Sequence, residues 1–144
     1  MRVLIDANVL LDVMERREPH YEASSLVWKL CEVGHVDGCF SALTFANLVY
    51  ILRKQLTPEE VREVWKKLRL IFSVADLTEA DLETAAAAGW NDFEDAVQSA
   101  VAGSVGADFI ITRNKKDYAE SRTKAVTPAE FLTLYEGGVG DARS

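Results

Sequence analysis

The segment Arg2-Val3-Leu4-Ile5-Asp6-Ala7-Asn8 decides how the rest of the chain is read. Three aliphatic residues in a row, followed at once by an acid, are what a strand buried on both faces of a parallel sheet presents, with its last residue emerging at the carboxyl edge. Asn8 opens a helical stretch to about Glu15, so the chain begins with a strand feeding a helix. A carboxylate in that position needs donors, a countercharge or a cation, because burying it unpaired is costly. Asp6 is therefore the first candidate functional residue.

Outward from this segment the alternation continues. Pro19 starts an element on which Tyr21, Ser25, Val27, Trp28 and Cys31 recur at helical spacing until Gly34 stops it. Cys39 to Ala42 reads as a second strand. From Thr44, the positions Phe45, Leu48, Val49 and Leu52 describe an amphipathic helix, and Thr57-Pro58-Glu59-Glu60 caps another with Val61, Val64, Trp65 and Leu68 on its inner face. Phe72 to Ala75 reads as a third strand, Thr78 to Ala88 as an Ala-rich helix ended by Gly89, and Asp92 as the start of a helix to about Val105. Asp108 to Thr112 is the clearest strand, and Val126 marks a last short one. Thr127-Pro128-Ala129-Glu130 caps a final helix to about Tyr135, and the glycine-rich segment 137–144 is expected to be a disordered tail, leaving 1–136 as one domain. Strands separated by helices imply a parallel sheet covered on both faces, with ligand sites at the carboxyl ends of its strands.

Composition narrows the function. A chain of 144 residues with 49% apolar content builds one core. No apolar run is long enough for a membrane or a signal segment, so a cytoplasmic protein without membrane contact is expected. The net charge of −7 counts against broad sequence-independent nucleic-acid binding, which rests on cations displacing condensed counterions. It does not exclude a nuclease, since a bound metal supplies positive charge locally. Cys31, Cys39, His20 and His35 lack the spacing of a zinc or redox motif, so the thiols read as buried and idle.

Polar residues gather at strand ends. Asp6 ends the first strand, while Thr112, Asn114 and Asp117 follow the clearest later one. The cluster Asp92, Glu94, Asp95 opens a helix at that edge or at the opposite one; periodicity leaves both open. Carboxylates within about 4–6 Å of one another repel and raise each other's pKa unless a divalent cation neutralises them. Hard oxygen donors favour Mg²⁺ or Mn²⁺, and an ion of that kind suits phosphodiester hydrolysis. Structural roles compete with these. Asp92 also fits a helix N-cap, and Asp117 a loop salt bridge with the Arg113, Lys115, Lys116 run, whose cations are either solvated or phosphate contacts. Trp28, Trp65 and Trp90 read as core or interface residues, and Asp12, Glu15, Arg16 and Arg17 as a solvated helix end.

Four segments together resemble the PIN-domain family, whose best-known members are toxic ribonucleases of bacterial toxin–antitoxin pairs. They are Leu4 to Asp12, Ser41 to Lys54, Asp92 to Gln98 (Asp-Phe-Glu-Asp-Ala-Val-Gln) and Ile111 to Tyr118. Each is weak alone; in this order and spacing they span nearly the whole chain. The resemblance implies a three-layer α/β/α sandwich with a central parallel sheet and an acidic pocket that binds Mg²⁺ or Mn²⁺ and cuts RNA. Asp6 would match the first metal-binding acid, Asp95 the central one and Asp117 the later one, with Thr112 and Asn114 shaping the pocket and Asn8 orienting Asp6. It also implies an antitoxin protein as partner, and homodimers are common in the family.

One position departs: many toxins of the family carry a glutamate where this chain has Asn47, and an amide supplies neither negative charge nor a base. A branch with the Asp-Phe-Glu-Asp-Ala signature shares the asparagine, and Asp92 or Glu94 could compensate. The alternative reading is a catalytically weakened scaffold that binds RNA or protein. A phosphatase using Asp6 as nucleophile ranks below both, since that chemistry wants an aspartate at position 8 and room for a cap domain.

Overall fold

The switch from β1, Arg2–Ile5, to the helix α1, Ala7–Met14, happens at Asp6, as the opening segment predicts. The computed structural model describes residues 1–143, with side chains described through Gly137. After α1 come α2 (Tyr21–Glu32), β2 (Asp37–Ser41), α3 (Ala42–Ile51), α4 (Pro58–Ile71), β3 (Ser73–Ala75), α5 (Glu79–Ala88), α6 (Phe93–Ser104), β4 (Phe109–Ile111), a 3-10 turn (Lys115–Tyr118), β5 (Lys124–Val126) and α7 (Pro128–Arg143).

The five strands form one parallel sheet in the order β3-β2-β1-β4-β5. The chain fills one half of the sheet outward from β1, then returns to β1's other side with β4. This reversal opens a crevice between the carboxyl ends of β1 and β4, where open α/β sheets place ligands.

Strand alternation divides the core in two. Val3, Ile5, Phe40, Ile111 and Val126 face a layer that includes α1 to α4 and α7, contributing Leu10, Val27, Leu48, Leu68 and Phe131 among others. Leu4, Cys39, Ala75 and Ile110 face the opposite way, against Ala85 of α5 and Ala96, Val97, Val101 and Ala102 of α6. Small alanines let α5 and α6 approach closely. The result is the three-layer α/β/α sandwich expected from the sequence, with both cysteines free and buried. Among the described residues no helix is long and apolar enough to cross a membrane.

Several boundaries differ from the sequence pattern, each for a local reason. Ser41 ends β2 and its hydroxyl accepts from the Thr44 amide at 3.1 Å, so α3 starts at Ala42 rather than at Thr44. The helix after Pro19 begins only at Tyr21. At the other end, α7 runs on to Arg143, through the segment that glycine content marks as a disordered tail. Its start is a capping box in which the Thr127 amide donates to Glu130 Oε1 and the Glu130 amide to Thr127 Oγ1. A helix nucleated this way extends at low cost per residue.

Gly38 is the second residue of β2 and lies beneath α2. A Cβ there would sit 2.6 Å from Cys31 Sγ and 2.9 Å from Phe72 Cδ1, contacts that real side chains do not make. Gly38→Ala is expected to lower stability by about 1–3 kcal/mol in urea unfolding, and Cys31→Ala in the same chain to restore part of the loss. An unchanged midpoint in the single variant would show that β2 is free to shift away from α2.

Candidate active site at the sheet switch point

The β1–β4 register pairs Ile5 with Ile111, so Asp6 and Thr112 leave the sheet side by side. The Asp6 amide donates to the Ile111 carbonyl at 3.0 Å, carrying the strand pairing one residue further. Its carboxylate then collects donors. Oδ1 accepts from the Ala7 amide at 2.8 Å, and Oδ2 accepts from Thr112 Oγ1 at 2.8 Å, Asn8 Nδ2 at 3.4 Å and the Tyr118 hydroxyl at 3.5 Å. Asn8 is itself held, because its Oδ1 accepts from the Arg113 amide at 3.2 Å. Burial pushes the Asp6 carboxyl above the usual carboxylate range, the Thr112, Ala7 and Tyr118 donors pull it back, and the charge of Asp117 adds to the rise.

The second group of acids opens α6, and it opens at the same edge, which periodicity alone left undecided. Asp92 caps the helix by accepting from the Asp95 amide at 3.0 Å, so one of its oxygens is committed to structure. Asp95 is pushed up to about 6, first by burial and then by the charges of Asp92, Asp6 and Asp117. Glu94 is raised by burial and by Asp92 and Asp6, with a hydrogen bond from Asn47 acting against the rise. Asp95 thus feels the charge of Asp6 across one crevice. Tyr118 bridges them: its hydroxyl reaches Asp6, and its own ionisation is strongly disfavoured by burial and by the charges of Asp6 and Asp95.

What holds α6 over this edge is a buried polar triangle. Gln98, one turn beyond Asp95, donates through Nε2 to Thr44 Oγ1 at 2.7 Å, and its Oε1 accepts from the Ser41 hydroxyl at 2.7 Å. Ser41 and Thr44 sit where β2 passes into α3, so the amide ties α6 to a strand end. Satisfied inside the core, such a network has little freedom to shift.

The expected residues do not all contribute side chains. Asn114 joins through its backbone, its amide donating to Thr112 Oγ1 at 3.1 Å and its carbonyl accepting from the Asp117 amide at 2.9 Å, while its side chain is exposed. Asp117 is exposed on the 3-10 turn, and it is not paired with the basic run beside it. Arg113 instead reaches Asp12, with Nε 2.9 Å from Oδ2, and Lys115 reaches Glu130 at 2.7 Å. The reading of Asp12 as part of a solvated helix end is corrected here: it is fully buried and also accepts from Ser24 Oγ at 3.0 Å. Sequence reasoning gave no role to Tyr118, Gln98 or the Asp12–Arg113 pair. An acid three residues after Val9 on an otherwise apolar helix face was the available signal for the last.

All donors around the crevice are hard oxygens. Among the described residues no three His, Cys, Asp or Glu side chains form a ready-made cation cage. The set instead matches the demand of a small hard ion that takes one or two carboxylates and fills its other positions with water and substrate oxygens.

The family model described as PIN domain matches residues 2–116. The chain belongs to the PIN-domain family. Solved structures agree in fold. A toxin–antitoxin complex from Klebsiella pneumoniae aligns with a TM-score of 0.68 at 21% identity, covering 88% of this chain and 97% of that one. VapC20 of Mycobacterium tuberculosis, a toxin described as cleaving the sarcin-ricin loop, aligns at 0.65 with 12% identity over 82% and 94%. PAE2754 from Pyrobaculum aerophilum aligns at 0.61 with 18% identity over 95% and 96%. No curated protein matches. At these identities the structural likeness is one of fold.

Because Arg113 is the cation facing a buried Asp12, this PIN domain should depend on it. Arg113→Met is expected to cost about 3 kcal/mol in urea unfolding, since it strands a charge in the core, while Asp12→Leu combined with Arg113→Met recovers much of that loss. A single variant as stable as wild type would mean that the pair does not anchor the loop after β4.

Proposed function

We propose that this PIN domain is a divalent-cation-dependent endoribonuclease, and that it acts as the toxin of a toxin–antitoxin pair. The observation that carries this reading is the convergence of Asp6 and Asp95, with Glu94, Asp92 and Asp117 around them, on the crevice between β1 and β4. Burial raises both carboxyls first and the charges of neighbouring acids add to the rise, and among the described residues no Lys, Arg or His pairs with the negative charge of either. Mg²⁺ or Mn²⁺ held by Asp6 and Asp95 would balance it, and when bound would lower the pKa of water and polarise a phosphate oxygen.

The remaining residues divide the work of holding this charge in place. Thr112 and Asn8 fix the orientation of Asp6, leaving no freedom for its Oδ2 to turn away from the crevice. Gln98 fixes the turn of α6 from which Asp95 and Glu94 project. Asn47 holds Glu94 at the edge of the cluster, so an amide at this position supports an acid rather than replacing one. Asp117 and the free oxygen of Asp92 stand at the perimeter, where they can take water bound to the ion or orient it. The overall charge of −7 leaves phosphate attraction to the ion and to a few local cations.

The partner follows from the likeness of fold: solved neighbours include a toxin–antitoxin complex, and a Rickettsia felis VapBC2 assembly bound to a fragment of its promoter DNA. We infer an antitoxin-like protein as the binding partner, with RNA as the substrate and a cytoplasmic setting.

Purified protein is expected to cleave RNA when Mn²⁺ or Mg²⁺ is supplied and to stop on chelation. Asp6→Asn and Asp95→Asn should each lower the rate by on the order of 100-fold or more. Without a divalent ion, Asp95→Asn should unfold later than wild type, by on the order of 1 kcal/mol after allowing for partial solvent exposure, because it removes a repelled charge. If wild type and both variants were equally inert toward varied RNAs with Mn²⁺ present, the enzyme reading would be wrong.

A further inference from the structure

Asp95 lines an open cavity of about 360 Å³ that extends from the carboxylates toward the connector before α6. One wall is the connector between α5 and α6, where Gly89 turns the chain with φ +71° and presents Trp90 and Asn91; the other is the 3-10 turn with Lys116 and Asp117. Trp90 is half-buried. Its indole stands edge-on to the Tyr118 ring, centroids 6.4 Å apart and planes at 72°, and also borders the cavity. Tyr118 in turn reaches Asp6, so the indole is joined to the reacting edge through one ring.

The cations beside this cavity are sorted by their partners. Arg113 is engaged by Asp12 and Lys115 by Glu130. Among the described residues Lys116 has no ion-pair partner, and it is the one member of the basic run that lines the cavity. Asp92, Asp95, Asp117 and Glu120 share the lining. A phosphate can therefore sit only where a cation faces it, whereas an uncharged base can occupy the indole side without penalty. A cavity of this size accepts one nucleoside and not a duplex. A base reaches a recessed aromatic only when it is free of pairing.

We propose that this cavity is a one-nucleotide subsite for single-stranded RNA, with the base of the nucleotide adjoining the cut lying against Trp90 and its phosphate facing Lys116. The Asn91 amide stands where it can donate to or accept from the edge of that base. The proposal rests on the ribonuclease reading for the words "adjoining the cut", but the binding it describes does not need cleavage.

The test therefore reads binding and cleavage separately, in the full-length protein with Mg²⁺. Fluorescence anisotropy follows a labelled single-stranded oligonucleotide with phosphorothioate linkages, checked on a gel to stay intact through the measurement, alongside the same oligonucleotide carrying single abasic positions. Trp90→Ala is expected to weaken binding about ten-fold, the range of one lost base–aromatic stack, and Trp90→Phe to restore most of it. Lys116→Gln should weaken binding and flatten its salt dependence. Wild type should lose the same factor when one particular base is removed, and Trp90→Ala should lose nothing further from that removal. Binding to Trp90→Ala equal to wild type, or an abasic penalty that persists in the variant, would overturn the subsite. Thermal unfolding of Trp90→Ala beside wild type guards against misfolding as the cause. Absence of cleavage by wild type, with the stacking pattern intact, would sink the nuclease reading and leave the subsite standing.

Discussion

The pairing of β1 with β4 is the constraint on which the rest of this molecule depends. After β2 and β3 have been laid down on one side of β1, the chain comes back to its other side here, and the register that matches Ile5 to Ile111 sets Asp6 beside Thr112. A slip of one residue would turn Ile5 and Ile111 out of the apolar layer and send Leu4 and Ile110 into it. The core therefore enforces the geometry of the crevice. The hydroxyl of Thr112 then meets a carboxylate whose other oxygen is already taken by a helix amide, and Asn8 closes the remaining approach. Hydrophobic burial places the acid, and hydrogen bonds orient it.

The opposite side of the crevice is built at a cost. Acids at the start of α6 are favoured by the helix dipole and, for Asp92, by capping, so local propensity explains why three fit there. It does not explain why Asp95 should stand partly buried near Asp6 and Asp117, where burial first and the neighbouring charges second drive its carboxyl up to about 6. That conflict between a local rule and the assembled structure is the kind of inconsistency that marks functional rather than structural positions. The Gln98 triangle gives the conflict a mechanical basis, because a satisfied buried amide keeps α6 from rotating to relieve the repulsion.

Much of this was legible before the fold. Val3-Leu4-Ile5 read as an inner strand, and a carboxylate directly behind it pointed to the edge where chemistry gathers; Thr57, Asp92 and Thr127 announced helix starts by capping patterns that the structure contains. Long-range pairing was not legible. Asp12 looked like a solvent-facing acid because its partner lies 101 positions further on, and nothing local distinguishes an Arg113 aimed at the core from one aimed at phosphate. Tyr118 suffered the same way, since its role depends on the 3-10 turn folding back over two strand ends. The edge at which α6 opens was likewise a question of topology, answered by the return of the chain to β1.

The asparagine at position 47 shows how a departure from a family pattern should be weighed. Taken alone, loss of a carboxylate near a cation site suggests loss of affinity, because an amide oxygen brings no charge. Its neighbour changes the conclusion. Asn47 donates to Glu94, an acid on a different helix that is already pressed by Asp92 and Asp6. A glutamate at 47 would add a third repelling charge to those of Asp92 and Asp6 on Glu94; the amide instead holds it at the perimeter of the cluster. An amide at position 47 therefore supports an acid of α6 instead of adding to the repulsion around it.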